Sequence, residues 1–182
     1  MKCSVFVFRS QLEADQQRIT LAAMIADVLI QYKWLAPAAL LVIIAVGPFV
    51  GMALVRHPRL AWVLAGLTLL PVAALTLVPV RRQLYDVCVV QWTLPTFGRV
   101  ELMANVVLFV LPVLFASVAS AKPLRMLLAA SALSVVIEVF QALVPAIGRS
   151  CDTTDWLNNS IGAAIGAVLA IVALGLRKRR VA

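Results

Sequence analysis

Residues 34–55, WLAPAALLVIIAVGPFVGMALV, run for 22 positions without a charged side chain. Crossing about 30 Å of hydrocarbon at 1.5 Å per residue takes about 20 helical residues, so this stretch alone is long enough to span a bilayer. Outward from it the pattern repeats at Leu60 to Val80, Met103 to Ser120, Leu124 to Pro145 and Asn158 to Leu176. Composition agrees: 63% of residues are hydrophobic and 13% charged, against roughly 45–50% apolar usage in soluble domains. The expected fold class is all-α, a polytopic transmembrane helix bundle of about five spans.

Gly47, Pro48, Pro71 and Pro112 fall within these runs; neighbouring helices can satisfy the backbone groups they free, so they are tolerated in a bilayer. Trp34 and Trp62 open two spans and Trp156 precedes a third, at the headgroup level that indole rings favour. Residues 1–33 read as an N-terminal amphipathic helix at the interface, with Leu21, Ile25, Leu29 and Tyr32 at helical spacing and Asp27 off that stripe. The patch in Met1 to Phe8 is too short for a signal-peptide core and lacks a small-residue cleavage site, so no cleavage is expected. The expected organisation is this segment, an extra first helix and loop over 34–59, a four-helix core over 60–176 and a basic cytoplasmic tail over 177–182.

The cluster Arg177, Lys178, Arg179, Arg180 after the last span places the C-terminus in the cytoplasm by the positive-inside rule. With five spans the basic residues divide eight to each side, and discounting the distant Lys2 and Arg9 leaves eight inside against six. All eight acidic residues fall on the other side. A pI near 10.3 would suggest nucleic acid for a soluble domain, but here the basic residues sit at span ends beside anionic lipid, so no nucleic-acid partner is expected.

Polar groups inside a bilayer are costly and mark sites or buried networks. Glu101 and Asn105 lie one turn apart at the start of the third span, and Glu138 and Gln141 share a face near the end of the fourth, with Ser134 a turn deeper. Arg149, Asp152, Asp155, Asn158 and Asn159 then lead into the fifth, where Asp155, Asn159, Gly162 and Gly166 follow one face. Alternating topology brings all of these to one side of the membrane. Asp152 suits a helix cap, and Gly162 and Gly166 form a small-residue surface for helix packing, within the bundle or between protomers. Three cysteines are too few for a disulfide framework; Cys88 and Cys151 share the oxidising side of this topology, which leaves a bond between them open. His57 lies on the opposite side.

The string Glu138-Val-Phe-Gln141, Pro145, Gly148-Arg149-Ser150-Cys151-Asp152-Thr-Thr-Asp155, then Asn159-Ser-Ile-Gly162 and Gly166 resembles the VanZ-like family, named for a teicoplanin-resistance protein. Glu101-Leu-Met-Ala-Asn105-Val-Val-Leu-Phe109 looks like that family's other signature, and Leu77-Val-Pro79 like its usual first-span ending. The resemblance covers about Leu60 to Leu176. Two departures stand out: Leu111-Pro112-Val113 where the family often has Pro then Gly, and Thr154 where an acidic residue is frequent. The resemblance implies a multi-pass protein of the bacterial cell membrane, linked to glycopeptide or lipopeptide susceptibility, with no general reaction attached.

No G-x-S-x-G, H-E-x-x-H, Cys/His zinc spacing or Walker-type loop occurs, so neither a nucleotide nor a zinc signature supports a cofactor. Carboxylates with amide oxygens are the ligand type of Mg²⁺ or Ca²⁺, but no metal set is assigned. The leading expectation is a polar pocket lined by Glu101, Asn105, Glu138, Gln141, Arg149, Asp155 and Asn159 that binds a lipid-linked or peptide group. Membrane lipids are the expected partners, a cell-wall precursor or anionic lipid among them. One alternative is an intramembrane enzyme acting on a lipid or cell-wall precursor, with Glu138 as general acid or base, Arg149 stabilising charge and Asp155 a further catalytic candidate. Another is a membrane scaffold.

Overall fold

The computed structural model describes residues 31–80, 87–96 and 98–180. The expected N-terminal amphipathic helix falls on residues 1–33 and lies almost wholly outside the described residues. Five long helices follow: α1 (Leu35–Leu54), α2 (Pro58–Leu77), α3 (Val100–Ser120), α4 (Pro123–Leu143) and α5 (Thr153–Arg179). All five are long and apolar enough to cross a membrane.

Their boundaries follow from local chemistry. Pro58 and Pro123 occupy the first turns of α2 and α4, where a missing N–H costs nothing and the fixed φ is already helical. Pro145 ends α4, because the residue before a proline is pushed out of the helical region; Val144 sits at φ −124°, ψ 66°. A short 3-10 turn, Pro145–Ile147, and Gly148 at φ 69° then reverse the chain, a left-handed conformation that glycine adopts without strain. α5 begins at Thr153, five residues before the expected span, because the Asp152 carboxylate accepts from the Thr154 N–H at 2.7 Å and caps it. At its other end α5 carries Arg177, Lys178 and Arg179 in its last turn, where positive charge offsets the helix dipole. Arg177, Lys178 and Arg179 of the basic cluster are therefore helical.

α3 is the centre of the bundle. Eleven of its residues are buried, and its closest partner is α5. α1 covers both of these helices, α2 lies against α3, and α4 lies against α5 and α3. The main apolar core joins Leu54, Ala61 and Ala65 to Val106, Val110, Leu114 and Val118 of α3 and to Leu169, Ala170 and Ala173 of α5. Between α3 and α5 the backbones nearly touch: a Cβ on Gly162 would collide with the Val106 carbonyl oxygen, and one on Gly166 with that of Val110. The small-residue face is thus occupied by α3 of the same chain. Since lipid is as apolar as leucine, such close packing, rather than escape from solvent, holds membrane helices together. The large exposed apolar side chains, including Leu41 and Phe49 of α1, Leu67 and Leu70 of α2, Leu124 and Leu128 of α4 and Ile171 of α5, face outward on the peripheral surfaces.

At the end where α4 finishes and α5 begins, two connections are tied together. The disulfide Cys88–Cys151 links the α2–α3 connection to the α4–α5 connection, with Cα atoms 4.5 Å apart. Around it, β1 (Cys88–Val89) and β2 (Cys151–Asp152) pair in parallel, in register Cys88 with Cys151 and Val89 with Asp152. The Val80 N–H donates to the Ile147 carbonyl at 2.9 Å.

Candidate functional site

The polar residues of this end are positioned by α3, α4, α5 and the two tied connections. α4 and α5 run antiparallel, so successive turns of one meet successive turns of the other. In the deeper layer, Asn159 of α5 donates from Nδ2 to Ser134 Oγ of α4 at 2.9 Å. One turn nearer the end, Glu138 of α4 accepts the Asp152 N–H at 2.8 Å through Oε2, and Asp155 of α5 accepts from Asn105 Nδ2 of α3 through Oδ1. The charges of Glu138 and Asp155 act on one another, and that of Asp152 acts on both.

Gln141, one turn beyond Glu138 on α4, donates from Nε2 to the Thr76 carbonyl of α2 at 3.0 Å. Arg149, in the connection, donates from Nε to the Val78 carbonyl at 3.1 Å. These two bonds carry α4 and the connection across to the end of α2, whose last carbonyls have no helical donor. Partial burial holds the Arg149 guanidinium below its ordinary pKa, and the nearby Asp155 carboxylate opposes that shift.

The structure therefore brings Asn105, Glu138, Gln141, Arg149, Asp155 and Asn159 to one end of the bundle. Glu101 does not join them by hydrogen bonds among the described residues; it is exposed in the first turn of α3, and its field reaches Asp155 from there. His57 stands at the start of α2, at the opposite end. Among the described residues, no three His, Cys, Asp or Glu side chains gather closely enough to hold a metal ion.

Gln91 and Trp92 carried no recognisable signal in the sequence. Gln91, in the α2–α3 connection, holds the start of α5 at several points: Nε2 donates to Asp152 Oδ2 at 2.6 Å, its N–H to Thr153 Oγ1 at 2.9 Å, and its carbonyl accepts from Thr154 Oγ1 at 3.0 Å. Trp92 stacks edge-on with Trp156, ring centroids 5.9 Å apart, while the Trp156 N–H donates to Ser131 Oγ at 3.2 Å. Asn158, fully buried, donates to the Thr154 carbonyl of its own helix. Adjacency to Asn159 in a polar run was its only mark.

Three buried amide oxygens at this end, Gln141 Oε1, Asn158 Oδ1 and Asn159 Oδ1, have no hydrogen-bond partner among the described residues. Buried polar atoms are nearly always paired, so unpaired acceptors beside carboxylates give this end a capacity for donors. Arg149 supplies the complementary capacity for an anion, through a planar fork suited to carboxylate and phosphate oxygens.

Compared with known protein families, the chain matches the model described as VanZ/LLP1 over residues 34–174. The match takes in α1 as well as the four helices that carry the motifs. No curated protein and no solved structure matches.

Proposed function

We propose, from the premise that this chain belongs to the VanZ/LLP1 family, that its polar end is an outer-leaflet site for a lipid-linked or peptide group of the cell envelope. Occupancy of that site is the route by which such a protein would alter glycopeptide or lipopeptide susceptibility. One observation carries the reading: Glu138 of α4 and Asp155 of α5 lie one turn above the Asn159–Ser134 bond across the α4–α5 seam, with Arg149 near Asp155, at the end of a bundle whose main core is apolar. Intramembrane carboxylates are expensive to keep, and the usual return is a site.

The disulfide supports the orientation. Disulfides persist on the oxidising side of a membrane, so the Cys88–Cys151 end is read as extracytoplasmic. The end of α5 bearing Arg177, Lys178 and Arg179 is then cytoplasmic, in agreement with the positive-inside rule.

The test is native mass spectrometry of molecules that co-purify with the full chain and with its Glu138→Gln and Arg149→Ala variants, released gently from the membrane. The expected result is a phosphate-bearing lipid or cell-wall precursor on the wild-type protein that is reduced in both variants. Identical profiles for all three proteins would overturn the proposal and turn the polar end into a structural network.

A further inference from the structure

The polar end is not symmetric between donors and acceptors. Glu138 and Asp155 are each engaged through one carboxylate oxygen, yet an ionised carboxylate offers about four lone-pair sites and no donor. Asn159 is 3% exposed, and its Nδ2 is bound to Ser134, one turn below Glu138. Its carboxamide therefore lies in the α4–α5 seam directly beneath the Glu138 and Asp155 layer, and Oδ1, on the same carbon as Nδ2, lies unpartnered in that seam. One turn above Glu138, Gln141 is 5% exposed with Nε2 bound to Thr76 and Oε1 unpartnered. The unfilled capacity along the seam is acceptor capacity.

The missing complement is accordingly a group rich in N–H or O–H donors. Charge narrows the choice. The carboxylates of Glu138, Asp152 and Asp155 act on one another, and the guanidinium of Arg149 acts on Asp155. A cationic donor is favoured over a neutral hydroxyl there. A metal ion is a poorer fit, because no three acidic, His or Cys side chains converge among the described residues. Arg149 adds a demand for negative charge close by.

Resting on the reading that this end binds a lipid-borne group, we infer that the site takes a zwitterionic head group of the phosphatidylethanolamine type. Its primary ammonium lies on Glu138, Asp155 and Asn159, and its phosphate lies on Arg149. The three N–H bonds of one ammonium equal these three acceptor side chains in number, and each would be charge-assisted. The exposed Val136, Val139, Phe140 and Leu143 on α4 provide an apolar flank for the acyl chains. A quaternary ammonium has no N–H to offer, and a glycerol head group has no positive charge.

The experiment uses the full chain in nanodiscs containing equal amounts of phosphatidylethanolamine, phosphatidylglycerol and phosphatidylcholine with matched acyl chains, followed by native mass spectrometry of the retained lipid. Wild-type protein is expected to retain phosphatidylethanolamine over phosphatidylcholine by about tenfold, the effect of one or two charge-assisted hydrogen bonds, with phosphatidylglycerol between them. Glu138→Gln keeps an oxygen for the Asp152 N–H while removing the charge, and is expected to bring phosphatidylethanolamine down to the level of phosphatidylglycerol. Arg149→Ala is expected to lower both. If wild-type protein holds phosphatidylglycerol as well as phosphatidylethanolamine and Arg149→Ala releases both, the ammonium plays no part; this inference falls while the anion-binding reading stands. If retention of all three lipids is the same in every protein, both fall, and buried water meets the amide oxygens. The wild-type comparison needs no variant, so misfolding of a variant leaves it decisive.

Discussion

α3 and α5 meet twice, in opposite ways. In the body of the bundle Gly162 and Gly166 press against the carbonyls of Val106 and Val110, and the seam is apolar and closed. Two turns nearer the end along α5, the same helices meet through Asn105 and Asp155, with α4 contributing Glu138 and Ser134 alongside. The first contact has no freedom, because its geometry is set by backbone against backbone. The second is made by side chains, several of which retain unused hydrogen-bonding capacity. A rigid seam of this kind can hold a polar end in place without help from that end's own bonds.

That contrast makes the seam the most sensitive place to break. Gly162→Ala puts a methyl group against the Val106 carbonyl oxygen, which only a backbone shift relieves; the expected cost is about 3 kcal/mol, the upper part of the range for overpacking. Thermal unfolding in detergent would show it as a larger drop in midpoint than either Cys88→Ser or Asn159→Leu produces, and an unchanged midpoint would mean that α3 and α5 sit further apart. Cys88→Ser removes the strap of the polar end. Its expected cost is about 2 kcal/mol, at the low end for a disulfide, because spans that remain inserted already restrict the unfolded chain. The same unfolding assay checks it, with a reductant-treated wild-type sample expected to fall to the variant's midpoint.

Smallest is Asn159→Leu. Interhelical hydrogen bonds in membranes average about 0.6 kcal/mol, and the substitution also removes an unpartnered buried oxygen, so stability is expected to change by about 0.5 kcal/mol or less. A loss several times larger, measured in that assay, would show Asn159 to be a structural strut and would erase the distinction between the two contacts.

The bundle was legible because uninterrupted apolar runs admit one solution in lipid, and each expected span overlaps a helix. The glycine seam was equally readable, since Gly162 and Gly166 follow Asp155 and Asn159 on one face. Asp152 announced itself as a cap. What escaped the sequence shares a different trait: it depends on backbone partners or on loops. The Arg149 bond to the Val78 carbonyl, and the Gln141 bond to that of Thr76, use acceptors that every residue possesses and no pattern distinguishes. Gln91 and Trp92 lie in a connection without periodicity, where nothing foretells that they will hold the start of α5. Three cysteines left the pairing open until the parallel β1–β2 register placed Cys88 opposite Cys151. Glu101 shares a helical face with Asn105 yet is exposed and makes no hydrogen bond to the cluster among the described residues, since a shared face does not fix where a side chain bonds.

The length of α5 has a mechanical meaning. Its 27 residues extend about 40 Å, and Asp155 and Arg177 stand about 33 Å apart along it, close to the thickness of a hydrocarbon core. Were its cations anchored among head groups at one face, the helix would act as a gauge rod whose other tip rides at the opposite surface. A thicker bilayer would draw Asp155 and its neighbours below that surface, whereas a thinner one would lift them into water. Membrane thickness would thereby set the depth at which the carboxylates meet their surroundings.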